Sequence, residues 1–216
     1  MPHPFWPLFD VEVRTPRLTL RYVDDDLGVE LTQLALGGIH DPDVMPFAMP
    51  WTDVPDDELG PNSFRHWWSC RAGTSVERWS INLAVIENDT VVGASGLGAE
   101  QFPTTRWFET GSWLGIEHQG RGLGTELRLA TLHLGFLGFD ALTAGTGAYA
   151  DNAPSLAVTA KLGYEPNGVE PHERRGERAD IHRFRMSRNH FLDRVRREDV
   201  EISGDEAARA FLGIAR

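Results

Sequence analysis

Gln119-Gly120-Arg121-Gly122-Leu123-Gly124-Thr125 is the stretch on which the reading of this chain turns. Just before it, Gly111-Ser112-Trp113-Leu114-Gly115-Ile116 reads as a short apolar strand. Just after it, Glu126 to Phe139 reads as a helix. A strand, a glycine-rich turn and a helix N-terminus make an anion site. The first helical amides have no intrahelical acceptor and carry the positive end of the dipole. Glycines at 120, 122 and 124 let the backbone approach a bulky anion such as a pyrophosphate.

The spacing narrows the choice of anion. There is no Gly-Lys-Ser/Thr ending, so the turn is not a nucleotide P-loop. A dinucleotide fingerprint needs G-x-G-x-x-G, and Thr125 stands where its last glycine belongs. The stretch does fit Q/R-x-x-G-x-G/A, as Gln119-x-x-Gly122-x-Gly124. That pattern resembles the acyl-CoA pyrophosphate loop of the GNAT N-acyltransferase superfamily. Three further blocks resemble the branch that acetylates ribosomal-protein N-termini. They are Thr15-Pro16-Arg17-Leu18-Thr19-Leu20-Arg21, Glu109-Thr110-Gly111-Ser112-Trp113-Leu114, and Asp151-Asn152-Ala153-Pro154-Ser155 with Lys161-Leu162-Gly163-Tyr164. The blocks fall in the family's order and together cover residues 13–190. The resemblance implies an α/β (α+β) GNAT fold: a mixed central sheet with splayed fourth and fifth strands, flanked by helices. It divides the chain into an aromatic arm (1–12), the acyltransferase domain (13–190) and a C-terminal extension (191–216).

Composition sets the outer bounds. At 216 residues with 41% apolar content the chain can bury a full core. No stretch approaches the run of about 20 apolar residues that spans a membrane. MPHPFWPLFD has no basic segment leading into a long apolar one, so it does not read as a secretory signal. The single cysteine, Cys70, cannot close an internal disulfide, which favours a cytoplasmic protein. Cys70 reads as a packing residue rather than a nucleophile. Residues 1–60 hold 12 acidic residues against three basic ones. That imbalance opposes nucleic-acid binding and suits a cationic acceptor.

Around the central stretch the elements follow in order. The arm carries Phe5, Trp6, Leu8 and Phe9 as apolar anchors, which admits a homodimer as well as docking on the domain. Residues 13–22 read as one strand, with Val13, Leu18 and Leu20 apolar. Asp24 to Asp26 cap a helix with Leu27, Leu31 and Leu34 at helical spacing, ended by Gly37-Gly38. Residues 40–61, rich in proline and aspartate, read as a long loop. The resemblance implies that Phe47, Met49 and Trp51 in it wall the acceptor pocket. Residues 62–72 read as a second helix with Phe64, Trp67 and Trp68 inward. Trp79–Glu87 and Val91–Ala99 form a hairpin through Asn88-Asp89, and Gly93, Gly96 and Gly98 weaken its second strand and suggest close backbone approach there. Residues 100–106 read as a loop, 107–116 as the central strand, 141–148 as the fifth strand and 155–162 as a helix stopped by Gly163. A charged strand-loop at 165–178 and a closing strand at 181–186 follow. Val200 to Ile202 reads as an edge strand, and Asp205 as the cap of a last helix.

Acyl transfer to an amine needs three groups. An ammonium of pKa about 10.4 (lysine) or about 7.7–8.0 (α-amine) must lose a proton before it attacks. The site therefore needs a base, a donor to the thioester carbonyl, and relief for the leaving thiolate. The resemblance makes Glu109 the candidate base, with Glu100 as runner-up and Glu117 less suited. Many GNAT enzymes carry an acid tyrosine seven positions after the asparagine, and here that position is Thr159. Ser155 matches a serine of the ribosomal branch and is the candidate partner for the sulfur. Trp113, Leu114 and Ile116 are expected to offer strand amides to pantetheine. Gln119, Gly120, Arg121, Gly122, Gly124 and Thr125 are expected to hold the pyrophosphate, and Asn152 with Ser155 to bind from across the splay. The eight histidines have no metal-ligand spacing, and no metal is expected.

Acetyl-CoA is the default donor. The acceptor is a primary amine of a protein N-terminus, a lysine or a small molecule. The arm Trp6–Asp10, the His40–Trp51 loop and Gly111–Gly115 also resemble an actinobacterial subgroup with protein-lysine succinyltransferases. Succinyl-CoA would need a cation for its carboxylate, with Arg71, Arg78, Arg106 and the arginines of 174–178 as candidates. A CoA-binding module without turnover, permitted by Thr159, and an antibiotic-modifying transferase also remain open.

Overall fold

The computed structural model describes residues 2–214. Its strands are β1 (Glu12–Arg14), β2 (Thr19–Tyr22), β3 (Arg78–Glu87), β4 (Thr90–Glu100), β5 (Trp107–Leu114), β6 (Thr143–Tyr149), β7 (Glu165–Arg174), β8 (Glu177–Ser187) and β9 (Glu201–Ser203). The helices are α1 (Asp25–Leu36), α2 (Asp56–Ala72), the single turn α3 (Phe102–Thr105), α4 (Leu123–His133), α5 (Ala153–Lys161), the turn α6 (Arg188–His190) and α7 (Asp205–Phe211). All the strands join one mixed sheet, in the order β7-β8-β6-β5-β4-β3-β2-β1-β9. Among the described residues the only parallel neighbours are β5 and β6.

The expected single strand at 13–22 is a hairpin instead. β1 and β2 pair antiparallel, Val13 opposite Leu20, around a turn in which the Thr15 amide donates to the Leu18 carbonyl at 2.8 Å. Pro16 causes the break, because it has no N–H for a ladder and fits the second position of a turn. Val13, Leu18 and Leu20 are buried as expected. The family's fourth and fifth strands are therefore β5 and β6.

Local chemistry explains most other boundaries. Asp24 caps α1, accepting from the Leu27 amide at 2.8 Å. Asn88 and Asp89, with φ of 48° and 61°, form the tight turn between β3 and β4. Gly163 ends α5 in the left-handed region, with φ 76°. The edge strand expected at Val200–Ile202 is β9, which pairs with β1, Ile202 opposite Val13.

Five expectations are corrected. α2 starts at Asp56, six residues early, with Pro61 inside it. Pro61 deprives only the Asp57 carbonyl of a helical partner, and both residues face solvent, where water can serve. Trp68 is half exposed rather than inward, and its indole N–H donates to Asp25 at 3.2 Å. The loop at 100–106 contains α3, which carries Phe102 into the core against Trp79. α7 is capped by Gly204, φ 76°, with Asp205 its first helical residue. The charged segment at 165–178 pairs along its length, because β7 and β8 close through Arg175-Gly176, both at positive φ.

The sheet has two covered faces. α1 and α2 lie on one, over Ala84, Ala94 and Trp113. α4 lies on the other, where the Phe108 ring fits beneath Gly135 and Ser95 Oγ meets Thr131 Oγ1 at 2.7 Å. The last segment packs behind α4, with Phe136 stacked on Phe191 at 4.7 Å and Trp6 of the arm edge-on to Phe211 at 5.0 Å. Leu8 of the arm is fully buried, whereas Phe5 projects into solvent.

His133 makes this packing sensitive to pH. Its ring is buried, with Nδ1–H donating to the Leu129 carbonyl at 2.9 Å and Nε2 accepting from the Arg197 amide at 3.0 Å. Burial pushes its pKa below the ordinary histidine value. The unfolded chain therefore binds more protons than the folded one in the window below about pH 6.5. Stability is full above that window and falls as pH drops through it. Thermal melts should show Tm declining between about pH 7 and pH 5, with a flatter decline in His133→Gln.

Candidate active site

β5 and β6 stay paired only from Trp107–Thr143 to Glu109–Gly145. Beyond that point the strands diverge and side chains replace the ladder. Thr110 Oγ1 donates to the Gly145 carbonyl at 3.2 Å, and Thr146 Oγ1 to the Thr110 carbonyl at 3.1 Å. The edge of β5 from Thr110 to Leu114 is left open towards β6. An open strand edge offers amides and carbonyls to an extended ligand chain.

The glycine-rich turn stands at the mouth of this opening. Gly120 and Gly122 adopt φ of 73° and 81°, and Gly122 is the N-cap of α4 with no side chain capping it. The first amides of α4 thus have no intrahelical acceptor. Gly120, Arg121 and Gly122 are exposed, and Thr125 lies in the first turn of α4. A Cβ at Gly124 would lie 3.7 Å from Val158 of α5 and 3.9 Å from Leu114. The start of α4, the middle of α5 and the end of β5 therefore converge.

Several expected ligands have partners within the chain. Gln119 Nε2 donates to the carbonyls of Ile39 at 2.7 Å and Leu114 at 3.0 Å, tying the turn to the root of the loop between α1 and α2, whose residues 40–53 follow Ile39. Arg121 pairs with Glu87 at 2.8 Å. The Ile116 amide donates to the Gly38 carbonyl at 3.1 Å, so it is not a free strand amide, and Ile116 opens a helical turn rather than extending β5. Trp113 and Leu114 do lie on the open stretch of β5. Asn152 caps α5, Oδ1 accepting from the Ser155 amide at 3.2 Å while Nδ2 reaches the Pro46 carbonyl at 3.5 Å. Ser155 is half buried in the first turn of α5. Thr159 is buried, its hydroxyl donating to the Ser155 carbonyl at 2.9 Å.

Glu109 occupies the closed end of the opening, on the face covered by α1 and α2. Both its oxygens are engaged: Oε1 accepts from Trp107 Nε1 at 2.8 Å, and Oε2 pairs with Arg183 of β8 at 2.8 Å. Gly145 makes room for it, because a Cβ there would overlap Oε1 and lie 2.6 Å from Trp107. A carboxylate has about four lone-pair sites, so two remain for an incoming N–H or water. Glu100, the runner-up, is exposed at the end of β4 beside Arg78.

Next to Arg183 lies a cavity of about 60 Å³ between β6, β8 and the loop, lined by Pro46, Ala48, Gly147, Tyr149 and Ile181. The Tyr149 hydroxyl is buried without a partner, and burial pushes its pKa up. The loop over this face is clamped by the β7–β8 hairpin. Arg175 forks onto Asp53 at 2.6 and 2.7 Å and reaches the Pro42 carbonyl at 2.9 Å, and His172 meets the Ala48 carbonyl at 2.9 Å. Phe47 and Trp51 pack inward, Trp51 at 5.7 Å from Trp113, whereas Met49 is 69% exposed.

Sequence reasoning missed Arg17, Arg128, Tyr149 and Arg183. Arg17, in the β1–β2 turn, pairs with Glu126 and donates to the Arg121 carbonyl at 3.1 Å, bringing a cation to Gly122. Its place in the Thr15–Arg21 block was a signal, but nothing local shows that this turn reaches α4. The arginines considered for a donor carboxylate are tied elsewhere: Arg71 to Asp25, Arg78 to Glu100, Arg106 to Asp140, Arg174 to Asp151, Arg175 to Asp53 and Arg178 to Asp180. Cys70 is half buried on α2 with Sγ 3.7 Å from His66 Nε2. Burial alone would raise the thiol, but His66, Ser80 and Asn82 outweigh it and hold it below its ordinary value.

Among the described residues no group of side chains has the makings of a metal site, and no helix is long and apolar enough to cross a membrane. The family profile described as Acetyltransferase (GNAT) domain matches residues 17–165. Solved structures share the fold at low identity. Mycobacterium smegmatis RimJ in complex with CoA-disulfide is 19% identical, with TM-score 0.72 over 88% of this chain and 96% of that one. RimL, the ribosomal L7/L12 alpha-N-protein acetyltransferase in complex with coenzyme A, is 18% identical, with TM-score 0.66 over 80% and 95%. The microcin C7 self-immunity acetyltransferase MccE, in complex with acetyl-CoA and AMP, is 15% identical, with TM-score 0.64 over 80% and 93%.

Proposed function

The chain belongs to the GNAT acetyltransferase family and is an acyl-CoA-dependent N-acetyltransferase, and from that premise we propose that it moves an acetyl group from acetyl-CoA to a primary amine of a protein or peptide at the β5–β6 splay. One observation carries the reading. The opening between β5 and β6 runs from an uncapped helix N-terminus in a glycine turn to a carboxylate at its closed end.

The parts then have distinct work. The amides of Gly120 to Thr125, with Arg17 nearby, bind the pyrophosphate. Trp113 and Leu114 of β5 pair with the pantetheine arm. Asn152 and Ser155 close on it from α5. The acceptor enters from the face of Glu109, under the clamped 40–53 loop. Glu109 removes a proton from the amine, directly or through a water. The nitrogen attacks the thioester carbonyl carbon, and the C–S bond breaks. The likeness to RimL, an alpha-N-protein acetyltransferase, supports a protein N-terminus as acceptor, and the acidic first 60 residues suit a basic one. The likeness to MccE, a microcin C7 self-immunity acetyltransferase, keeps a small-molecule acceptor in view.

The test is native mass spectrometry with acetyl-CoA and succinyl-CoA in competition, followed by acceptor screening with basic peptides and an aminoglycoside. Acetyl-CoA binding followed by peptide acetylation is the expected result. Clear preference for succinyl-CoA would transfer the assignment to a succinyltransferase, and binding of neither would remove the acyl-transfer reading of the splay.

A further inference from the structure

Arg128 projects from α4 to the place where β5 and β6 part, and joins both strands. Nη1 donates to Thr146 Oγ1 on β6 at 2.9 Å, and Nη2 to Ser112 Oγ on β5 at 3.2 Å. The residue is only 4% exposed, and its Nε is buried without an acceptor. Among the described residues no carboxylate pairs with it, although fourteen ion pairs form elsewhere. Beside it the Tyr164 side chain is buried, and burial pushes its hydroxyl's pKa up. Cation and phenol therefore sit together on the α4 face of the sheet, where the strands part.

A guanidinium does not give up its proton in a protein, and burying it against neutral hydroxyls alone is costly. If bridging two strands were all it did, an apolar side chain of similar volume would do so at less cost. The arrangement makes sense if a negative charge arrives with the substrate. Acyl transfer at the splay creates one there. As the C–N bond forms and the C–S bond breaks, the electron pair of the C–S bond leaves on sulfur.

We propose that Arg128 is the countercharge for the CoA thiolate released at the splay, a proposal that rests on the acyl-transfer reading. It accounts for the absence of a tyrosine at position 159. With a fixed cation beside the sulfur, the leaving group departs as a thiolate and takes its proton afterwards from solvent, so no dedicated acid is needed. The proton taken from the amine stays with Glu109 until it too is lost to solvent.

The experiment titrates the thiol of bound CoA through the ultraviolet absorbance of the thiolate, with the spectrum of the free protein subtracted to remove Cys70. Wild type should hold the bound thiol about one unit or more below the free value of about 8.5. Arg128→Lys should keep most of that shift. Arg128→Met, folded by circular dichroism and still binding CoA, should lose it and lose about 10²–10³-fold in kcat. A wild-type bound thiol at or above the free value overturns the proposal without any variant, so a misfolded Arg128→Met does not protect it. An Arg128→Met protein that leaves the thiol unshifted from wild type but loses binding of a succinyl donor also overturns it, assigning the guanidinium to a donor carboxylate. If wild type does not bind CoA at all, the acyl-transfer reading falls instead.

Discussion

Glu109→Gln should lower kcat by about 10²–10⁴-fold while acetyl-CoA binds as in wild type. The amide keeps the shape of the side chain and can still accept from Trp107 Nε1, but it cannot take a proton. The donor site, built from the glycine turn and the far half of β5, is separate from this residue. Calorimetry of acetyl-CoA binding and steady-state kinetics with a peptide acceptor check both halves. A loss of less than about tenfold would move proton removal to a water chain and leave Glu109 as an anchor for Arg183. Because Arg183 holds Oε2 at 2.8 Å, Arg183→Met should be measured beside it. If the ion pair only positions the carboxylate, Arg183→Met raises the acceptor KM more than it lowers kcat.

Gly93→Val should destabilise the protein by about 3 kcal/mol. For a chain of this size that lowers Tm by about 6–12 °C. The pairing of β3 with β4 skips Val92, so Gly93 follows a bulge. A Cβ at 93 would overlap the Trp113 carbonyl oxygen and lie 2.9 Å from Leu114 Cα. These are backbone atoms, so no rotamer change relieves the clash; β5 itself must move. Since the displaced residues are Trp113 and Leu114, the affinity for acetyl-CoA should fall with the Tm. Gly96→Ala is the control. Its Cβ would have ordinary room, with nothing nearer than 3.6 Å, and should cost little. Equal effects at both positions would mean that strand propensity, not the close approach, sets the cost.

The contrast between these two glycines shows where sequence reasoning stops. Gly93, Gly96 and Gly98 all look like weak points of one strand, and close backbone approach is expected for all three. Only Gly93 has it, because only there does the bulge bring the neighbouring strand's carbonyl over the Cα. The proline-rich 40–61 stretch misled in a similar way. Pro61 reads as a helix boundary, yet a proline in an exposed helical turn loses one hydrogen bond that water replaces. Asn88-Asp89, Gly163 and the Asp24 cap were legible because their backbone demands are local and leave a residue-type signature.

The same division runs through the site. The glycine turn, Glu109 and the Asn152–Ser155 segment are local motifs, and the sequence alone located them and pointed to the family. It also supplied the strand–turn–helix order that makes the splay possible, since a parallel β5–β6 pair needs a crossover. What it left open was the company each residue keeps. Arg183 is 74 positions from Glu109 and Arg128 is 18 from Thr146, and no periodicity links such pairs. Only the tertiary structure decided that Gln119 and Arg121 are tied to Ile39 and Glu87, that Arg17 comes to the mouth of the opening, and that a cation without a counter-ion is buried where the strands part. The physical reason is range. Turns, caps and amphipathic faces follow from interactions a few residues long, whereas charge pairing and close packing are settled by the sheet register, which joins distant segments.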